Sequence, residues 1–148
     1  MRPLISPNRI RLQLEVEDWT QAVRDSADLL LRDGCITPAY VEAIFTSFDT
    51  NGDYMIVVPE VVLAHARPES GALETGLSLV TLRSPVLYRG DIDKPITVVF
   101  TLAASDPDRH IEMMQTLAGV LVDNEHVRQI KSSGDVDAVL RILIPTDS

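Results

Sequence analysis

Four short runs rich in Val, Ile, Leu and Thr lie in the middle of the chain, with helix-type patterns before and after them. Turn residues bound these runs, which is typical of strands, and the runs cover residues 54–58, 61–64, 77–82 and 96–103. Too few residues separate the first two runs to hold a helix, so we do not expect a parallel crossover between them. The order of elements predicts a single three-layer α/β domain, with a mixed parallel and antiparallel sheet and helices on both faces.

Polar residues that can cap a helix predict where five helices begin. A side-chain oxygen at such a position accepts a hydrogen bond from the free N–H groups of the first turn. The predicted starts lie at Asp18, Thr37, residues 105–108, Asp123 and residues 134–135. Apolar residues at helical spacing follow each start, so each helix is expected to bury one face.

Two regions fall outside this pattern. The first 15 residues are expected to form a loose arm or a short strand, and we divide the chain into an N-terminal arm (1–17) and one domain (18–148). Residues 84–94 are expected to form a loop, because Pro85 and the breakers after it interrupt both strand and helix patterns.

The charge balance limits the partners of the chain. Its 148 residues carry a formal net charge of −9, whereas a general nucleic-acid binder needs a basic face. The same charge disfavours docking on an anionic membrane surface. No apolar stretch has the length of a signal peptide or a membrane span, and Cys35 is the only cysteine, so we expect a cytoplasmic protein without disulfides.

Three histidines are candidates for chemistry. His65 ends an apolar run, and it is either a locally bonded surface residue or a neutral imidazole nucleophile, since the ordinary pKa of histidine is ~6.5. His110 in the first turn of the third helix either packs on the apolar stripe or donates a hydrogen bond to an anion. Arg67 either shares a face with His65 and contacts phosphate, or is a solvated loop residue. We interpret His126 and Cys35 as structural.

Motifs for other chemistry are missing from the sequence. It contains no Gly-x-x-x-x-Gly-Lys phosphate loop, no His-Glu-x-x-His pair and no Gly-x-Ser-x-Gly turn. A small histidine-dependent hydrolase or a metal protein is therefore a weak alternative, because neither a second nucleophile nor a ligand cluster accompanies the histidines.

Four segments in a fixed order resemble the enzyme IIA component of the bacterial phosphoenolpyruvate-dependent sugar phosphotransferase system, of the mannitol/fructose type. The segments are residues 40–44, 62–69, 75–82 and 110–118. The stretch His-Ala-Arg-Pro-Glu beginning at His65, and the Asn-Gly-x-Tyr stretch before it, are most similar to the ascorbate-type branch. The resemblance extends from Asp18 to Leu143.

This resemblance implies a phosphocarrier. The carrier protein HPr would phosphorylate His65, and the group would pass to a cysteine of an enzyme IIB partner for sugar uptake, with the membrane enzyme IIC involved indirectly. His110 would stabilise the phosphoryl group, and no cofactor or metal is implied. A homodimer is left open. Since both transfers need a reachable imidazole, we expect an exposed His65 on a shallow, partly apolar surface instead of a deep pocket.

Three positions depart from the family pattern. Ala64 stands where the family has proline, Glu60 stands where it has a small residue, and no arginine ends the second helix. Arg67 is then the natural candidate to contact the phosphate. The departures keep open a second hypothesis, a regulatory phospho-dependent interaction module of the same fold that serves no transporter.

Overall fold

The computed structural model describes residues 5–144, which contain a five-stranded sheet and five α-helices. The strands are β1 (Ile10–Leu14), β2 (Ile56–Val58), β3 (Glu60–Ala64), β4 (Gly76–Leu87) and β5 (Pro95–Ala103). The helices are α1 (Trp19–Arg32), α2 (Pro38–Asn51), α3 (Pro107–Leu121), α4 (Asn124–Ser132) and α5 (Val136–Leu143).

The sheet is mixed, as the sequence predicted. Its strand order is β1-β4-β5-β3-β2. The pairs β1/β4 and β3/β5 are parallel, whereas β4/β5 and β2/β3 are antiparallel. The short β2–β3 connection makes an antiparallel pair, in agreement with the argument that it cannot hold a crossover helix.

Two separate clusters of buried side chains lie on the two faces of the sheet. One cluster joins α1 and α2 to the sheet around Tyr40, Phe48 and Val99. The other joins α3, α4 and α5 to the opposite face around Phe100, Leu117 and Ile130. The sheet is therefore covered on both sides, and the predicted three-layer α/β class is confirmed.

Each helix begins at a predicted polar position. The side chains of the cap residues accept hydrogen bonds from backbone N–H groups in the first turn, and these caps are Asp18, Thr37, Asp106, Asp123 and Asp135. Capping is a local interaction within three residues, so the sequence alone is enough to predict it.

Strand β4 runs further than predicted. Residues 84–87, expected to lie in a loop, continue the strand, and Val86 pairs with Ile96 of β5. On the other side, β1 ends opposite Leu82. Pro85 lies beyond the end of β1 and within the register shift between Thr81 and Val86 of the β4/β5 pairing, and proline is tolerated at such irregular positions.

Near the N-terminus the structure has the short strand, which is one of the two predicted alternatives. Ile10 and Arg11 of β1 pair with Leu79 and Val80 of β4. The residues before Ile5 lie outside the described part of the chain, and the division at residue 17 stays a prediction.

Candidate functional site

His65 is the first residue after β3, at the end of a strand that lies in the core. Residues 61–64 of β3 are buried, and Ala64 is paired with Thr101 of β5. The backbone at Ala66 is fixed by the buried Tyr40 of α2, whose hydroxyl accepts a hydrogen bond from the Ala66 N–H (3.0 Å) and donates to the Leu102 carbonyl (2.8 Å). Burial is the main reason that the pKa of Tyr40 is raised to about 12, so the hydroxyl keeps its proton. The histidine therefore stands on a rigid base.

The imidazole of His65 is held in one tautomer. Nδ1 lies 2.8 Å from the carbonyl oxygen of Leu63. A carbonyl oxygen only accepts, so Nδ1 carries the proton and Nε2 keeps its lone pair. The residue is buried, with 8% of its surface exposed, so the prediction of an exposed ring is wrong. The ring is bonded back to Leu63 at the end of β3 and does not project into solvent.

Both His65 and His110 favour the neutral form. Burial lowers the pKa of His65, its hydrogen bond to Leu63 opposes this shift, and the nearby His110 lowers the pKa further. Burial also lowers the pKa of His110. A neutral His65 with a free Nε2 has the electronic state that a nucleophile requires.

The ring of His110 lies beside that of His65, with 5.4 Å between the ring centres. The Nδ1 atom of His110 is buried and has no hydrogen-bond partner within residues 5–144. Neither Ser105 nor Asp106, which precede it at the start of α3, satisfies this nitrogen. A buried polar atom without a partner is uncommon, and this one belongs to the ring that lies beside His65.

The start of α3 offers less to an anion than its sequence suggested. Pro107 has no N–H, and the Asp106 carboxylate already accepts from the Arg109 N–H at 2.8 Å. The His110 backbone N–H donates to the Asp106 carbonyl. The backbone N–H groups of Arg109 and His110 are therefore already bonded within the helix start.

Arg67 follows the strand instead of lying on it. Because β3 ends at Ala64, Arg67 shares no strand face with His65, and it precedes a short 3₁₀ turn at Pro68–Ser70. Its side chain is exposed and lines the same groove as His65 and His110. The guanidinium is thus near the site without being fixed there.

These residues open onto one wide groove of about 1130 Å³. Its walls are α2, the residues that follow β3, and the first turn of α3. The α2 wall carries mostly small side chains, including Ala39, Ala43, Thr46 and Ser47. His65 and His110 thus line one groove together with the small side chains of α2.

A family model described as "Phosphoenolpyruvate-dependent sugar phosphotransferase system, EIIA 2" matches residues 3–145 of the chain. The chain belongs to this EIIA family. Its members are phosphotransferases that carry a phosphoryl group on histidine, so the predicted family and the predicted phosphocarrier class are confirmed.

Individual relatives agree with this assignment. The chain is 31% identical to the ascorbate-specific phosphotransferase-system EIIA component of Escherichia coli over 150 residues, which cover 100% of the chain and 97% of that protein. The solution structure of the mannitol-specific cryptic enzyme IIA of Escherichia coli is 34% identical, with a TM-score of 0.83 over 95% of this chain and 94% of that chain. A complex of the mannitol enzyme IIA with phosphorylated enzyme IIB from Escherichia coli, at 21% identity, shares the fold (TM-score 0.82; 94% of this chain, 96% of that chain).

Two groups beside His65 in this EIIA chain were missed in the sequence. Tyr54 contacts the His65 ring edge-on, with 5.7 Å between the ring centres. The Tyr40 hydroxyl accepts a hydrogen bond from the Ala66 N–H. The sequence spacing of Tyr40 indicates only that it lies on the apolar face of α2. No local signal distinguishes a tyrosine whose hydroxyl reaches another element from one that only fills the core.

The remaining candidates lie away from the groove. His126 is bound through Nδ1 to the Val120 carbonyl at 2.8 Å. Cys35 is buried, with Arg9 Nη2 at 3.2 Å from its sulfur. Residues 5–144 hold no group of three His, Cys, Asp or Glu side chains placed to bind a metal ion. None of the helices within that range is both long enough and apolar enough to cross a membrane.

Proposed function

We propose that Nε2 of His65 accepts a phosphoryl group from phosphorylated HPr and passes it to a cysteine of an EIIB partner. The observation that carries this proposal is the 2.8 Å contact of Nδ1 with the Leu63 carbonyl, which leaves Nε2 as the one unprotonated ring nitrogen. The relatives that carry the EIIA name, and the existence of an EIIA–EIIB complex with the same fold, support the choice of partner.

The Leu63 carbonyl also assists the transfer itself. As the bond between Nε2 and phosphorus forms, the bond from phosphorus to the histidine of HPr breaks, and the His65 ring gains positive charge. Its Nδ1–H then donates to Leu63 as part of a charged ring, and such hydrogen bonds are stronger than neutral ones. In the second step the Nε2–P bond breaks while a cysteine thiolate of EIIB takes the phosphorus, which returns His65 to its neutral state.

His110 and Arg67 are the candidates to stabilise the phosphoryl oxygens. Phosphoryl transfer passes through a loose transition state that depends on positioning and on donors around the oxygens. The unpaired ring nitrogen of His110 lies beside His65, and a phosphoryl oxygen would give this ring the hydrogen-bond partner that it lacks. Arg67 adds a permanent positive charge at the rim of the groove.

Ascorbate is the substrate that we propose for the transport system served by this chain. The support is the similarity over its whole length to relatives named ascorbate-specific. HPr and EIIB meet such a chain in the cytoplasm, and the membrane enzyme IIC would receive the phosphoryl group only through EIIB. A homodimer is not required by this reaction.

The decisive test is transfer of label from phosphoenolpyruvate through enzyme I and HPr to the purified chain. We expect the wild-type chain and His126→Ala to become labelled, whereas His65→Ala stays unlabelled. His126→Ala is the matched control, because it removes an imidazole that lies outside the groove. Equal labelling of His65→Ala would refute the proposed acceptor.

The His110→Ala variant tests the second histidine. We expect it to fold and to accept label about 100-fold more slowly, as is usual when one preorganised donor to a transition state is removed. Stopped-time labelling gives the rate, and circular dichroism checks the fold. Unchanged rates of labelling and of label release would contradict this role.

Addition of a cognate EIIB separates transport from regulation. Release of label to EIIB supports the phosphocarrier in an uptake system. Stable label that no EIIB removes supports the regulatory module instead.

A further inference from the structure

Ser47, Asn51 and Tyr54 form a hydrogen-bonded chain at the end of α2. The Asn51 amide donates to Ser47 Oγ at 3.1 Å, and Ser47 Oγ lies 3.1 Å from the Tyr54 hydroxyl. All three residues line the same groove as His65. No part of the transfer chemistry described above uses them.

The hydrogen bonds among Ser47, Asn51 and Tyr54 leave one hydroxyl proton without an acceptor. An amide N–H₂ only donates, so Ser47 Oγ is an acceptor towards Asn51. Ser47 and Tyr54 hold two hydroxyl protons but share one hydrogen bond. Asn51 donates to Ser47, and if Ser47 donates to Tyr54 in turn, both hydrogen bonds run in the same direction. This arrangement polarises the Tyr54 hydroxyl and leaves its proton for an acceptor in the groove.

Local backbone structure fixes where Tyr54 lies. Gly52 ends α2 with a positive φ of 72° and donates its N–H to the Phe48 carbonyl. A turn from Asp53 to Ile56 follows, and the Asp53 carboxylate is 2.6 Å from the Lys94 ammonium group. The turn places the Tyr54 ring edge-on against the imidazole of His65. His65 therefore has His110 as one ring neighbour and Tyr54 as another.

The groove offers little positive charge to a phosphoryl group with three oxygens. Among the described residues that line it, Arg67 alone carries a permanent positive charge, and its side chain is exposed. Glu42 lines the same groove and carries the opposite charge. A neutral hydroxyl donor adds a hydrogen bond without adding another charge that must be desolvated.

We propose that the Tyr54 hydroxyl, oriented by Ser47 and Asn51, donates a hydrogen bond to the phosphoryl group on His65, which makes Tyr54 a catalytic residue of the transfer. This inference rests on the proposed role of His65. Tyr54 then has two separable functions, since its ring packs against the imidazole and its hydroxyl contacts the oxygens.

The test compares Tyr54→Phe with the wild-type chain in the transfer assay with phosphorylated HPr. The phenylalanine keeps the ring contact and removes only the hydroxyl. A hydrogen bond to a charged group is worth enough to slow transfer about tenfold or more when it is lost. We expect that slowing, together with a changed ³¹P chemical shift of the phosphohistidine, which loss of packing elsewhere would not produce.

Two further variants isolate the hydrogen-bonded chain. Ser47→Ala should slow transfer in the wild-type background and add nothing to Tyr54→Phe, because both act through one proton. Ser132→Ala is the control, since it removes an exposed hydroxyl outside the groove and leaves Ser47, Asn51 and Tyr54 intact. It should transfer at the wild-type rate.

Each remaining outcome is decisive. Tyr54→Phe with the wild-type rate and ³¹P shift overturns the inference, even if Tyr54→Ala is slow, because the ring alone then matters. If the effects of Ser47→Ala and Tyr54→Phe on the transfer rate are additive, Ser47 does not act through the Tyr54 hydroxyl, and the proposed hydrogen-bonded arrangement is wrong. A wild-type chain that takes no label on His65 refutes the proposed function itself, and that result is read before any Tyr54 variant is compared.

Discussion

Replacement of Tyr40 by phenylalanine should destabilise the protein and slow its reaction at the same time. The Tyr40 hydroxyl joins α2 to the residue after His65 and to β5, through Ala66 and the Leu102 carbonyl. Tyr40→Phe keeps the buried ring and removes these bonds. The Ala66 N–H loses its acceptor, so the segment that carries His65 is no longer tied to α2.

The expected loss is about 2 kcal/mol. Each of two hydrogen bonds contributes roughly 1 kcal/mol net, and the donor left without a partner adds a desolvation penalty of about 1–3 kcal/mol if water does not reach it. Because Ala66 is only partly buried, water reaches its N–H and offsets nearly all of that penalty, so the two lost hydrogen bonds leave about 2 kcal/mol.

Urea unfolding measures this loss. With a slope of roughly 2 kcal/mol per molar urea, a change of about 2 kcal/mol moves the midpoint by about 1 M. Hydrogen exchange at the Ala66 amide should accelerate in the same variant, since its N–H has lost the Tyr40 oxygen. Phosphoryl acceptance by His65 should also slow.

Tyr88→Phe is the matched control. Tyr88 is also a buried tyrosine, but within residues 5–144 its hydroxyl makes one hydrogen bond, which it accepts from the neighbouring Arg89 at 3.0 Å. We expect this variant to lose less than about 1 kcal/mol and to keep the wild-type transfer rate. If Tyr40→Phe and Tyr88→Phe shift the urea midpoint equally, the argument that Tyr40 anchors the His65 segment is wrong.

Two other perturbations have defined outcomes. Since the pKa values of His65 and His110 are lowered in the folded state, the unfolded chain binds more protons below pH ~6.5. The free energy of unfolding should therefore fall as pH falls from 6.5 towards these lowered pKa values, and a His65→Gln variant should show a flatter dependence in urea titrations at several pH values. Gly71→Ala should destabilise by about 2 kcal/mol or more in the same assay, because φ is +130° and a Cβ would lie 2.1 Å from the Thr37 hydroxyl that caps α2. Gly134→Ala, where nothing lies within 4 Å of the added Cβ, should change stability by less than about 0.5 kcal/mol, and a Gly71→Ala effect no larger than that would contradict the steric argument.

The helix starts and the mixed sheet could be predicted because the interactions that determine them are local. A cap such as Asp18 or Thr37 bonds within three residues, and the short β2–β3 connection excludes a helix. The extension of β4 through Pro85 could not be predicted in this way. It depends on where β1 ends in space, opposite Leu82, and the sequence of β4 does not contain that information.

In the site, too, local features could be predicted from the sequence, whereas contacts between separate elements could not. His65 and His110 were recognised from their segments, and the structure brings their rings together. The depth of His65, the position of Arg67 beyond the strand and the ring contact of Tyr54 depend on how separate elements meet. Residues of this kind are missed because hydroxyl and aromatic side chains have the same periodicity whether they support a site or only pack.

The contact between His65 and the Leu63 carbonyl also has a consequence for kinetics. With one nitrogen committed to the backbone, the ring has a single nitrogen with a free lone pair, and His65 lines only the one groove described above. HPr and EIIB would then occupy the same place in turn, and no ternary complex could form. An excess of unphosphorylated HPr should compete with EIIB, so the throughput of the pathway would depend on the ratio of the two proteins and on how fast each departs.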